Sequence, residues 1–194
     1  MSKVNNKSAS GNCGQAGTTN QSNMYLLRLV VLFGCVFFSL QWAYQQATGT
    51  MLEKTIIDIA TVRPSVFLIN QINHDEHVIA DGHRLVSPFA KLSVLNGCEG
   101  TESLFLIISA ILAFRSSWRH KVAGLILGIV IIYLSNQARI ISLYFALRHD
   151  RALFSALHGY VAPTLIIAVG CVFYLWWMQW PQQDMKTQSA SSRA

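Results

Sequence analysis

The run Met24 to Tyr44, MYLLRLVVLFGCVFFSLQWAY, holds a single charge, Arg28, in a stretch as long as a bilayer is thick. A helix rises 1.5 Å per residue, so about 20 apolar residues cross the ~30 Å hydrocarbon core. A signal peptide would use Lys3 and Lys7 as its basic start. The run is long, however, and QWAYQQ offers no small-residue cleavage site, which favours a retained anchor. Two further runs, Val122 to Phe145 and Val161 to Trp180, reach the same length. Ser103 to Phe114 is shorter and reaches it only if its helix takes in roughly Glu99 to Trp118. The chain is 52% apolar and 12% charged, against about 25% charged in soluble domains. The expected fold class is therefore an all-α integral membrane protein. It has about four transmembrane helices and a small extracytoplasmic segment between the first and second.

Residues 1–23 are polar and rich in Ser, Asn and Gly, which predicts a disordered tail. Residues 24–180 form the membrane domain, and 181–194 a second disordered tail. The fourth run ends in YLWWMQW, which reads as an aromatic belt at a water interface. Between Gln45 and Gly97 the chain is mixed. MLEKTIIDIATVRPSVFLIN is loosely helical before Pro64, and Asp81-Gly82 between short alternating runs suggests a hairpin. That segment reads as a small domain sitting on the membrane.

Charge sets the orientation. Lys3, Lys7 and Arg28 lie at the start of the first span, and Arg115, Arg119 and Lys121 follow the second. Glu53, Asp58, Asp75, Glu76, Asp81, Glu99 and Glu102 all lie between those spans. Because Lys and Arg favour the cytoplasmic side, both termini are expected in the cytoplasm, with residues 45–100 and 146–160 outside. The net charge of +6 is thereby accounted for by topology, and nucleic acid is not an expected partner.

On that topology Cys98, Arg139 and His158 lie at one depth, from three different helices. An arginine inside an apolar span costs several kcal/mol unless it is paired or hydrated, and so marks function. Asn136, three residues earlier, shares its helical face. IISLYFAL after Arg139 argues against a span that simply ends there. Cys98 lies in a Gly-Cys-Glu-Gly turn before a helix, where the positive N-terminal end favours a thiolate and the adjacent Glu99 opposes it. His158, in SALHGY, has the chemistry to partner a cysteine nucleophile. Arg139 would stabilise a developing oxyanion. Cys13, Cys35, Cys98 and Cys171 are scattered singly, which suggests neither a disulfide framework nor a zinc knuckle. His74, Asp75, Glu76 and His77, with His83, read as a solvated polar loop rather than a metal site. Arg148 and Arg151 are candidates to guide a substrate carboxylate. No P-loop, GxGxxG, HExxH or GxSxG occurs.

NGCEG, AFRSSWRHKVAGLILG, NQARI and FSALHG, in that order over roughly residues 90–180, together resemble the exosortase/archaeosortase transpeptidases. The resemblance is to a short-form exosortase. It implies a membrane cysteine protease-transpeptidase of the bacterial inner membrane, with its active site facing the periplasm. Cys98, Arg139 and His158 match the family's three catalytic positions, and Asn136 and Glu99 become supporting or substrate-binding candidates. The implied substrates are exported proteins whose C-terminal sorting signal combines a short motif, a transmembrane helix and a basic cluster. The implied acceptor is an exopolysaccharide or a lipid-linked group, in contact with membrane lipid. No cofactor and no metal are implied. The alternative of a different class is a noncatalytic membrane assembly factor that binds helical tails of partner proteins. A thiol oxidoreductase would want two exterior cysteines, and only Cys98 is expected outside.

Overall fold

The computed structural model describes residues 15–94 and 100–191, with side chains placed for 23–51, 53–94 and 100–180. Its elements are α1 (Gln15–Gln46), α2 (Met51–Lys54), a π-helical stretch (Thr55–Val62), α3 (Arg63–Ile72), β1 (Ile79–Asp81), β2 (Arg84–Val86), β3 (Lys91–Ser93), α4 (Thr101–Ala113), α5 (Trp118–His149), α6 (Arg151–Ala156), a second π-helical stretch (Leu157–Val161) and α7 (Ala162–Ser191).

Three helical segments are long and apolar enough to cross a membrane: Asn23–Gln46, Trp118–His149 and Arg151–Trp180. The second expected span is not a full one. Helix α4 has 13 residues, about 20 Å at 1.5 Å per residue. It begins after Gly100, whose φ of +83° breaks the helix, and ends at the extended Phe114. It still passes through the middle of the bundle. Ile107 and Ile111 are buried in one core with Ile132 of α5 and Ile166, Phe173 and Trp177 of α7. Protein rather than lipid covers α4, so it need not match the bilayer.

The contacts set an up-down-up-down order. Tyr44, in the last turn of α1, meets Phe105 near the start of α4. Lys121, at the start of α5, donates to the Leu112 carbonyl at the end of α4 (2.7 Å), while Gly100 at the other end of α4 lies against Asn136. Helix α7 returns along α5, with Trp177 on Gly124, Phe173 on Gly128 and Gly170 beside Ile132. Helix–helix packing in lipid depends on close contact, which small residues allow. A Cβ on Gly124 would stand 2.3 Å from the Trp177 indole nitrogen, and one on Gly128 3.1 Å from Phe173. Trp177 is therefore no belt residue. It is fully buried, stacked on His120 (4.6 Å), and its Nε1 donates to the His120 carbonyl. Trp176, by contrast, is 53% exposed.

Helix α1 begins at Gln15 and α7 runs past Pro181 to Ser191, where the composition alone predicts disorder over 1–23 and 181–194. Once an apolar span has nucleated a helix, each added residue costs little, so adjoining polar residues can continue it.

The small domain between α1 and α4 is helix plus sheet. Pro64 does not end the helix, which continues through α3 to Ile72. The π-helical turn absorbs the proline: it has no N–H for the Ala60 carbonyl, which accepts instead from Tyr133 Oη (2.9 Å) and Gln137 Nε2 (3.4 Å) on α5. Ser65 donates to Gln137 Oε1 (2.6 Å). The hairpin forms with Asp81 opposite Arg84, and Gly82 takes the positive φ of 56° that a two-residue turn needs. β3 then adds to β2, giving a three-stranded antiparallel sheet in the order β1-β2-β3.

This domain sits on the far end of α5. Ile140, Leu143 and Tyr144 are buried in one core with Ile57, Val62, Ile69, Leu85 and Leu92. The apolar residues after Arg139, within the long span candidate Trp118–His149, pack against this small domain. At about 48 Å for 32 residues, α5 is long enough to serve both the bundle and the domain. Replacing Gly124 by Ala is expected to cost about 1–3 kcal/mol through overpacking against Trp177. A lowered midpoint of thermal unfolding in detergent would register the loss; an unchanged midpoint would show the Gly124–Trp177 contact is not close.

Candidate functional site

Helix α5 carries Asn136 and Arg139 one turn apart. Asn136 is 3% exposed and packs against Gly100, where an added Cβ would stand 2.7 Å from the Asn136 Cγ. No described residue offers a hydrogen bond to Asn136 Oδ1. Gly100 holds φ +83°, a conformation that L side chains rarely adopt. The start of α4 is thereby pressed onto the polar face of α5.

Arg139 is half-buried, with its Nε shut off from solvent. It lines a cleft of about 260 Å3 between α5 and the α6–α7 helix, together with Ser142, Leu157, Ala162, Leu165 and Ile166. The cleft is mostly apolar. Ser135 and Ser142 at its edge give their hydroxyl protons to the carbonyls four residues back (2.8 Å each), so they are satisfied within α5. The guanidinium is the charge that this cleft presents.

His158 is exposed and stacks on Phe154 with ring centroids 5.5 Å apart. The expected start of the fourth span at Val161 lies well inside a helical segment that begins at Arg151, capped by the Asp150 carboxylate accepting from the Ala152 N–H (2.9 Å). His158 thus occupies a π-helical turn, beside Leu157, which lines the cleft with Arg139. Arg139 and the His158 turn come together at one end of the bundle. Cys98 and Glu99 lie outside the described residues.

The sequence reading missed a buried polar cluster. Glu76 is fully buried, not part of a solvated loop. It forms an ion pair with Arg148 and accepts from Asn73 Nδ2 (3.2 Å), and the Tyr144 hydroxyl lies 2.7 Å from its Oε2. The same hydroxyl lies 2.8 Å from Ser87 Oγ. A carboxylate only accepts, so the phenol proton goes to Glu76; the Ser87 hydroxyl lies within hydrogen-bond distance of both the phenol oxygen and the Ala90 carbonyl (3.2 Å). Ser87 Oγ in turn accepts from the backbone N–H groups of Phe89 and Ala90. Arg148 also lies 4.9 Å from the Phe89 ring centroid. Its charge is committed to Glu76, which corrects its reading as a guide for substrate carboxylates. Tyr144 and Arg148 are four apart on one face of α5, a signal visible in the sequence. Their shared partner Glu76, 68 residues before Tyr144, is not. His83 lies beside Arg84 (3.3 Å), and no group of three His, Cys, Asp or Glu side chains forms among the described residues.

Gly100→Ala should cost about 1–2 kcal/mol in left-handed backbone strain alone, and should also push Asn136 aside. Adding Asn136→Ala should recover the clash but not the strain. Thermal unfolding of the single and double variants checks this; additive losses would refute the contact.

The family model of the transmembrane exosortases matches residues 18–177. No curated protein matches the chain, and no solved structure does. The match spans all four bundle helices and the domain between them, and on that extent the chain belongs to the transmembrane exosortase family.

Proposed function

We propose that this exosortase is a membrane-embedded cysteine peptidase and transpeptidase, with Cys98 as nucleophile, His158 as proton carrier and Arg139 as oxyanion partner. One observation carries the reading. Gly100, two residues past Cys98, packs on Asn136, one helical turn from the Arg139 that shares a cleft with the His158 turn. The proposed nucleophile is two peptide links from Gly100, at most about 7 Å of extended chain.

The chemistry follows from the residue types. His158 takes the Cys98 proton, and the thiolate adds to the scissile carbonyl. The oxygen gains the negative charge, which a guanidinium in a largely apolar cleft is suited to stabilise. His158 then returns the proton to the leaving amine, the C–N bond breaks, and a Cys98 thioester remains. A hydroxyl or amine acceptor, or water, displaces the thiol to finish the cycle. The proposed substrates are exported proteins with a C-terminal sorting signal, and the acceptor an exopolysaccharide or lipid-linked group.

The proposed location is the bacterial inner membrane, with the Arg139 end facing the periplasm. Arg115, Arg119 and Lys121 gather between α4 and α5, at the end of the bundle opposite Arg139, and the α1 start with Arg28 lies at that same end. Basic residues favour the cytoplasmic side.

Cys98→Ala is expected to abolish cleavage of a co-expressed substrate bearing a sorting tail, with the protein still inserted. Arg139→Ala should slow it by about 10²–10³-fold, the loss typical of removing one oxyanion donor, and His158→Ala should do so comparably. Blotting for the processed tail, with a thioester adduct sought in the wild type, reads all three. Unimpaired cleavage by the three variants would sink the enzyme reading. Tail binding that survives Cys98→Ala, with no cleavage by the wild type, would point to an assembly factor instead.

A further inference from the structure

The helical run from α2 through the π-helical stretch to α3 flanks α5 rather than capping the bundle. The Ala60 carbonyl accepts from Tyr133 and Gln137, Ser65 donates to Gln137, and Glu76 meets Tyr144 and Arg148. The run therefore climbs along α5, with Ala60 to Ser65 level with Tyr133 to Gln137. Gly100, where α4 begins, lies against Asn136 at the same level. Arg119 and Lys121 mark the opposite end of α5, where hydrocarbon gives way to water. Tyr133 stands about 18 Å beyond Lys121 along the helix axis and Gln137 about 24 Å, whereas the hydrocarbon core is about 30 Å thick. That core ends near Ile141 on α5, and a tilted helix would end it later. Helix α7 gives the same boundary. Gly170 lies beside Ile132 on this antiparallel helix, so Val161, where the fourth apolar run starts, stands level with Ile141.

We propose that this flank is a lipid-contact surface: Ile59 and Phe67 are seated among the acyl chains of the leaflet at the Arg139 end, and the partner is the bilayer itself. Ile59 is 52% exposed and Phe67 62%. They face neither α5, which Ser65 meets, nor the sheet, against which Ile57, Val62 and Ile69 are buried. The charges of the run point elsewhere. Glu53, Lys54 and Asp58 line a recess with Gly82 and His83 on the sheet side. Arg63, exposed between Ile59 and Phe67, has a stem long enough to carry its charge up to the headgroups. The backbone gives a second, independent sign. Pro64 frees the Ala60 carbonyl, and although Ala60 is exposed, two donors from α5 meet that carbonyl. Outside the membrane water would satisfy it; within hydrocarbon only protein can. The Glu76 cluster, level with Tyr144 and Arg148, lies beyond the boundary, so the small domain straddles the interface. The proposal does not rest on the transpeptidase reading.

The test uses the full chain in proteoliposomes, with Cys13, Cys35, Cys98 and Cys171 replaced by Ser, since the contact needs no catalysis. A nitroxide is attached at Ile59→Cys or Phe67→Cys. Its collisions with oxygen, which partitions into lipid, are compared with its collisions with a water-soluble nickel chelate. Leu134→Cys on α5, where Leu134 is 58% exposed, is the lipid-facing reference, and Lys91→Cys on β3 the water-facing one. The oxygen-to-nickel ratio at positions 59 and 67 is expected to match that at 134 and to exceed that at 91 several-fold. A ratio at both positions equal to that at 91 would place the flank in water and overturn the proposal. Immobilised spectra shielded from both reagents would mean that a second copy or another protein covers the face, which overturns it equally. Should the cysteine-free chain fail to insert, benzoylphenylalanine in place of Phe67 in the native chain decides. Photo-crosslinking to phospholipid carries the contact, and no crosslink to lipid ends it.

Discussion

Apolar side chains gain little by leaving lipid, so a bundle such as this one depends on how closely its helices can touch. The contact that makes the rest possible is Trp177 lying on Gly124, where no room remains for even a methyl group. It brings α7 against α5, seats His120 on the indole ring, and with Phe173 on Gly128 leaves space for α4 between them. Four residues with no reactive chemistry thus fix the mutual orientation of α4, α5 and α7. At their far end these same three helices carry Gly100, Asn136 and Arg139, and the cleft beside the His158 turn.

A second constraint governs that far end. Backbone and side-chain polar groups removed from water must find partners. The proline at position 64 strips one partner from the Ala60 carbonyl, and α5 returns it through Tyr133 and Gln137. The Glu76 carboxylate is met by Arg148, Tyr144 and Asn73. In both places the extramembrane domain supplies the demand and α5 the answer. The domain is therefore keyed to α5 by several directional bonds rather than merely resting on an apolar surface.

Much of the architecture was legible in the residues. Length and hydropathy marked the three long spans, and Asp81-Gly82 marked the hairpin. The motif AFRSSWRHKVAGLILG marked a real structural unit, since Ser117 caps α5, Lys121 closes α4 and Gly124 and Gly128 admit α7. The one-turn spacing of Asn136 and Arg139 on α5 was visible in the sequence. What was misread has a common cause. IISLYFAL read as bare membrane span because apolar composition reports burial without saying what does the burying; part of that burial comes from the small domain. Trp177 of YLWWMQW looked like part of an interface belt because tryptophan serves both there and in tight packing; its neighbour Trp176 stays exposed. Within HDEH, whose other three residues are exposed, Glu76 looked solvated because nothing local reveals a tyrosine and an arginine arriving from 68 and more residues away.

The sequence by itself determined that this chain is a membrane protein built on long apolar helices, and it put forward the residues that the proposed acyl transfer would use. Those properties depend on composition and on short-range spacing, which a helix translates directly into faces and lengths. Only the tertiary structure decided that α4 is a short central helix rather than a full span, that Glu76 is buried and paired, and that Gly100 stands on Asn136. Each of these depends on two segments far apart in the chain meeting at van der Waals or hydrogen-bond distance. Such meetings are set by the packing of the whole bundle, not by any local pattern of residues.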